Sequence, residues 1–335
     1  MAQVVDVSVT AGNGHQWGVD CRQFGVRVLR GIGQVTFVSR ALTGVLFACA
    51  LFTGGWGSGV YGVGGAALGT GLARVLGVER ERLAQGLEGF NSCLVGVGCA
   101  ALLGPARVST VLVALLACAV VTVATAAAGR VLGACGLPAL TSPFCAVVTM
   151  VALIRPHGSG AGYTAGAPGL GGLGRGFLAG FGQIFLLPHW YAGAFVLAGL
   201  AVAGLRVAGV ACLGNAVGMA VAWGLGAAVH DGTGGYNAVL VSVALCGVFL
   251  PFGGRTLAYA LVGAVAATAL APVFGTTVFT WPFVVTTLVF LGAARSFPAL
   301  SRPTPATGSP NGSPRLALSH DQPRGRREEA GRVVA

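Results

Sequence analysis

Long uncharged apolar runs decide what this chain can become. No Asp, Glu or Arg falls within residues 41–73, 89–106, 108–129, 131–154, 176–205, 207–230, 232–254 or 256–294, and the chain has no Lys. A bilayer core takes about 20 apolar residues per helix, so several runs suffice for one span and others for two, and roughly ten membrane helices are expected. With 55% hydrophobic and 9% charged residues, a water-soluble surface has too little material. The runs are continuously apolar, whereas lipid-spanning strands alternate polar and apolar residues, so the fold class is all-α, a polytopic membrane protein. The first 20 residues lack the basic end and apolar core of a cleaved signal, and the first span is expected to act as its own insertion signal.

The net charge of +11 resides in arginines, many between runs or in the C-terminal segment. Basic cytoplasmic loops under the positive-inside rule account for this, and nucleic acid is not an expected partner. Nine cysteines are scattered without a C-x-x-C pair and read as small buried hydrophobes, so neither disulfide, metal nor cofactor is assigned. After Arg295 the composition turns to Pro, Ser, Gly and Arg, which predicts a disordered tail over 296–335. A Gly-rich stretch over 156–175 reads as a linker. The expected organisation is an N-terminal segment 1–23, a first membrane repeat 24–155, the linker, and a second repeat 176–295.

The two halves match. "RGIGQVTF" (30–37) recurs as "AGFGQIFL" (179–186), aligning Gln34 with Gln183; "GFNSCLV" (89–95) recurs as "GYNAVLV" (235–241), aligning Asn91 with Asn237. "LTSPF" (140–144) recurs as "FTWPF" (279–283), aligning Thr141 with Thr280 and Pro143 with Pro282. Three polar landmarks in one order, twice, indicate an internal duplication. An odd number of spans per half would invert the second copy and place a solute site near the midplane between halves.

Gln34 and Phe37 share a helical face, as do Phe90 with Leu94 and Tyr236 with Leu240, so each half offers an apolar stripe carrying a ring. Asn91 and Asn237 lie off those stripes. They are expected to satisfy backbone groups of a broken or re-entrant helix, since an amide has two donors and an acceptor and each unsatisfied backbone group in lipid costs several kcal/mol. A plainer account treats lone Gln, Asn and Thr as interhelical glue, and the threonines as partners of carbonyls freed by the prolines. Glu79, Glu81, Glu88 and Asp231 fall in polar lead-ins, so the interior toolkit is amides, hydroxyls, carbonyls and rings. That lining suits a small, neutral, polar solute.

At these phrases, together with "LRGIGQVTF", "GFNSCLVGVGCA" and "LPALTSPF", the sequence resembles the urea transporter family over about residues 24–294. The resemblance implies two inverted halves, each of five transmembrane helices plus a re-entrant half-helix, around a pore in each subunit of a homotrimer in the cell membrane, as in bacterial-type urea channels. It implies urea as the partner, passing flat between aromatic slots while its amide hydrogens meet a ladder of oxygens. Carried over by motif, the ladder involves Gln34 and Gln183, with Thr141 and Thr280 near the constriction; Phe37, Phe90, Leu94, Tyr236 and Leu240 form the slots. Two departures stand out. Leu186 occupies the position matching Phe37, and "IFLLPHWYAG" after Gln183 lacks the paired polar residues expected after this glutamine, with His189 expected at an interface.

A channel for ammonia or another small amide is the alternative. It resembles a pore with two adjoining histidines, whereas the five here (His15, His157, His189, His230, His320) lie in loops, termini or mouths. A membrane enzyme or scaffold is the third reading, and no nucleophile and base pair or phosphate loop is evident at membrane depth.

Overall fold

A computed structural model describes residues 13–154, 170–227 and 229–300. The expected tail from 301 onward, linker residues 156–169 and Arg155 at the end of the first repeat lie outside the described residues. The first half comprises α1 (Asn13–Gly33), α2 (Ala41–Thr53), α3 (Trp56–Val75), α4 (Arg80–Gln85), α5 (Phe90–Leu103), α6 (Val108–Ala134) and α7 (Ser142–Leu153). The second comprises α8 (Leu170–Gly182), α9 (Trp190–Ala203), α10 (Leu205–Gly224), α11 (Tyr236–Val243), α12 (Gly254–Leu270) and α13 (Trp281–Ala294). Helix therefore starts at Asn13 within the expected N-terminal segment and at Leu170 within the expected linker, and a short turn at Pro298–Leu300 occupies the start of the expected tail.

Three helical stretches among the described residues are long and apolar enough to cross a bilayer: Val108–Ala134, Leu205–Gly224 and Gly254–Gly275. Two more qualify as bent pairs, Asp20–Thr36 with Ala41–Thr53 at 77° and Gly171–Phe185 with Trp190–Ala203 at 75°. The bends share one cause. After each glutamine a single tight turn ends in a left-handed residue, Phe37 (φ 65°) or Leu186 (φ 57°), which reverses the chain into the next helix. Each pair then closes tightly: a Cβ on Gly44 would stand 1.9 Å from the Leu29 carbonyl oxygen, and one on Gly193 1.7 Å from that of Leu178.

α5 and α11 occupy the interior. Residues Asn91 through Ala100 of α5 are all buried, as is every residue of α11. At 14 residues α5 is about 21 Å long, short of the roughly 30 Å hydrocarbon core, so it cannot cross alone. The wider turn Ala244–Val248 that continues α11 is broken at Cys246 (φ −111°, ψ 87°) and Gly247 (φ 115°). Small residues let these inner helices be approached closely: Gly65 and Gly69 of α3 face Ser92, and Gly214 and Gly218 of α10 face Ala238, each pair four apart on one face.

Hydroxyls stitch α5 to α6. Ser92 meets Thr122 at 3.2 Å, Asn91 donates to Thr125 Oγ1 at 3.0 Å, and both threonines return a bond to their own helix at Cys118 and Val121. Between the halves, α2 and α9 pack with opposed directions. Arg40 at the start of α2 donates to the carbonyl of Val202 at the end of α9, Thr43 donates to Gly199, and Gly54 at the end of α2 abuts Leu187 just before α9.

Candidate functional site: a neutral track between the halves

The site forms where α7 and α13 begin. Each opens with a threonine preceding the first helical residue and a proline at the second, where no backbone N–H is required. Each threonine follows a left-handed residue, Leu140 (φ 53°) or Phe279 (φ 31°). These turns bring Thr141 Oγ1 within 2.7 Å of Thr280 Oγ1, both 3% exposed. Among the described residues, neither threonine side chain donates to a carbonyl freed by its proline. Instead they bond each other, and Cys145 Sγ adds a third polar atom 3.0 Å from Thr280 Oγ1. A hydroxyl offers one donor and two acceptor sites, so Thr141 in particular retains unused capacity.

The asparagines hold the turns that carry the threonines. Asn237 donates from Nδ2 to the Phe279 carbonyl at 3.3 Å and accepts the Phe283 N–H on Oδ1 at 3.2 Å, which ties α11 to the first turn of α13. Tyr236 donates its hydroxyl to the same Phe279 carbonyl. Asn91 reaches the matching Leu140 carbonyl at 3.5 Å, with its main bond to Thr125. An asparagine from an inner helix thus meets the left-handed turn ahead of the threonine in both halves.

The glutamines are anchored alike. Gln34 donates from Nε2 to the Gln85 carbonyl at 2.9 Å, and Gln183 donates from Nε2 to the Asp231 carbonyl at 3.0 Å. Each bond fixes the nitrogen on the loop before the inner helix. Neither Oε1 accepts a hydrogen bond among the described residues, so an oriented acceptor remains on each side. Phe37, one turn past Gln34, packs its ring against Phe249 at 5.6 Å and Phe283 at 6.1 Å, linking the glutamine turn to the start of α13. Phe144 and Phe279 form a ring pair at 6.0 Å beside the other threonine.

Phe90 is half-buried, Leu94 and Leu240 are enclosed, and the Tyr236 hydroxyl is occupied. These four stand on the first two turns of α5 and α11, and the ring contacts of Phe37 go elsewhere. Glu88, placed in a polar lead-in by the sequence, is the one buried carboxylate among the described residues at 3% exposure; Oε1 accepts from Arg82 Nε and Nη2 at 2.9 and 2.7 Å. His189 is exposed and stacks on Tyr191 at 5.0 Å. Sequence reasoning passed over Cys145, Phe249, Phe283 and Asn215. Asn215 is wholly buried in α10 and donates to the Phe177 carbonyl at 2.6 Å; its signal is a lone amide inside an apolar run. No group of His, Cys, Asp and Glu among the described residues has the arrangement to hold a metal ion.

The urea transporter family profile matches residues 26–295, a span that contains both glutamines, both asparagines and both threonines. The chain belongs to the urea transporter family. Membership makes it a membrane transport protein rather than an enzyme. Similar family members include urea transporter 1 of Ovis aries and of Capra hircus, each 28% identical over 296 residues, with 80% of this chain and 77% of the relative covered. Urea transporter 1 of Mus musculus is 27% identical over 294 residues with the same coverage.

Proposed function

We propose that the chain is a passive, channel-like path for urea across the cell membrane, built from two inverted repeats over 24–155 and 176–295 and assembled as a homotrimer with one pore per subunit. The observation that carries this reading is the 2.7 Å contact of Thr141 with Thr280, matched residues of the two halves meeting where both tight turns converge. Inversion is supported by α2 and α9, matched elements that run in opposite directions along their shared interface.

Urea is flat, uncharged and rich in edge donors. Leaving water, it needs acceptors along its edges and apolar surfaces on its faces; acceptors that replace the lost water bonds without exceeding them permit both entry and exit. Gln34 and Gln183 supply oriented Oε1 acceptors, the two threonine hydroxyls supply the middle, and Phe37 with Phe90, Leu94, Tyr236 and Leu240 supply the slot walls. The backbone anchors on each Nε2 keep the amides from turning a donor toward the path. Glu88 is consumed by Arg82, and the Asp231 carboxylate beside Gln183 accepts from the Thr233 N–H and hydroxyl, so neither is left as a bare site for a dehydrated cation.

Urea efflux from liposomes holding the purified chain, with neither ion gradient nor ATP, tests the proposal. Flux that rises with the urea gradient alone and exceeds ammonia flux in the same vesicles is expected. A requirement for an ion gradient, or ammonia flux without urea flux, overturns it.

A further inference from the structure

A second built feature lies on α1, outside the neutral track. Arg22, Arg27 and Arg30 line a cavity of about 350 Å³ with Gln23, Val26 and Ala84. Positions 22, 26 and 30 follow at four-residue steps, with 23 and 27 beside them, so the group projects from one side of the helix over about 12 Å. No carboxylate is among these lining residues. The acidic residues of the neighbouring segment do not compensate: Glu88 is committed to Arg82, and Glu79 and Glu81 are exposed at the start of α4. Arg30 Nη1 donates to the Ala84 carbonyl at 2.7 Å, while its Nε is buried without a hydrogen-bond partner. Arg22 is exposed and Arg27 and Arg30 are part-buried, so the cavity offers guanidinium donors to solvent, and the stranded Arg30 N–H is a donor that an anion would complete.

The duplication supplies an internal control. α8 matches α1 around the glutamine turn at a constant offset, and there the positions of Arg22, Arg27 and Arg30 are held by Gly171, Gly176 and Ala179. The bent-pair scaffold therefore does not need the arginines. Membrane orientation calls for basic residues on one face, but not for three around one cavity. The site is also placed to matter, since Arg30 and Gln34, one helical turn apart, donate to the adjacent carbonyls of Ala84 and Gln85.

We infer that this cavity binds a phosphate group, held by the guanidiniums of Arg22, Arg27 and Arg30, at the level where charged α4 marks the edge of the apolar core. Guanidinium forks match phosphate oxygens in pairs, and both an anionic lipid headgroup and free phosphate present that chemistry. The inference is independent of which solute the track carries.

Thermal unfolding of the full chain in neutral detergent tests it, with phosphatidylglycerol, phosphatidylcholine or inorganic phosphate added and chloride as the ionic-strength control. Phosphatidylglycerol is expected to raise the Tm of the wild type by on the order of 2–4 °C, phosphatidylcholine to leave it unchanged, and Arg22→Gln/Arg27→Gln to abolish the rise. A rise with phosphatidylglycerol alone assigns a lipid headgroup. A rise with phosphate as well assigns free phosphate. Arg27→Gln alone, at a partly exposed position, is expected to shrink the rise and serves as a second variant. No rise with either probe, or an undiminished rise in both variants, overturns the inference.

Discussion

At the residue scale, the two asparagines stand in matched positions but do unequal work. Asn237 engages both ends of its amide, whereas Asn91 leaves a buried Oδ1 without a partner. Asn237→Ala strands the Phe283 N–H in a buried turn and is expected to cost about 1–3 kcal/mol. Asn91→Ala also removes an orphaned oxygen and is expected to cost below about 1 kcal/mol. Unfolding midpoints of the two variants in one detergent check the order, and equal losses contradict it. Polar residues inside apolar runs are legible in the sequence because composition there is so uniform. Their contacts are not. Asn215 has no amide at the matching position in the first half, so the repeat offers no flag for it, and Cys145 passes for a small hydrophobe until the Thr280 hydroxyl is found 3.0 Å away.

Among elements, the bent pairs show where helix reading stops. The run 41–73 is long enough for two spans, yet α2 closes after 13 residues and completes a bend begun by α1, leaving α3 as a separate helix. The bend escapes sequence rules because its left-handed residues are Phe37 and Leu186 rather than glycine or asparagine, the usual markers of positive φ. Its other requirement is the close approach at Gly44 and Gly193. Gly44→Ala and Gly193→Ala each drive a methyl into a backbone carbonyl and are expected to abolish the monodisperse protein in detergent. Gly129→Ala and Gly209→Ala, which meet nothing within 4 Å, are expected to behave as wild type in the same chromatography. Normal yield of the first pair would contradict this cause of the bend.

For the whole molecule, the duplication is written in three short phrases because the turns they encode must be built twice. Orientation is not written there, since glycine blurs helix ends and with them the count of spans. Leu76 and Leu225 offer a direct reading: they follow α3 and α10 at matching places and are 64% and 59% exposed. With the exposed cysteines Cys21, Cys49 and Cys135 replaced, Leu76→Cys and Leu225→Cys are expected to react with an impermeant maleimide from opposite sides of the membrane. Labelling from one side would place the halves in parallel. The most direct measurement is urea flux through liposomes carrying wild type, Gln34→Leu, Gln183→Leu or both, each shown to be monodisperse. Loss of one oriented acceptor at about 1.4 kcal/mol predicts flux lowered about tenfold per site. Wild-type flux in the folded double variant would contradict a path lined by these amides.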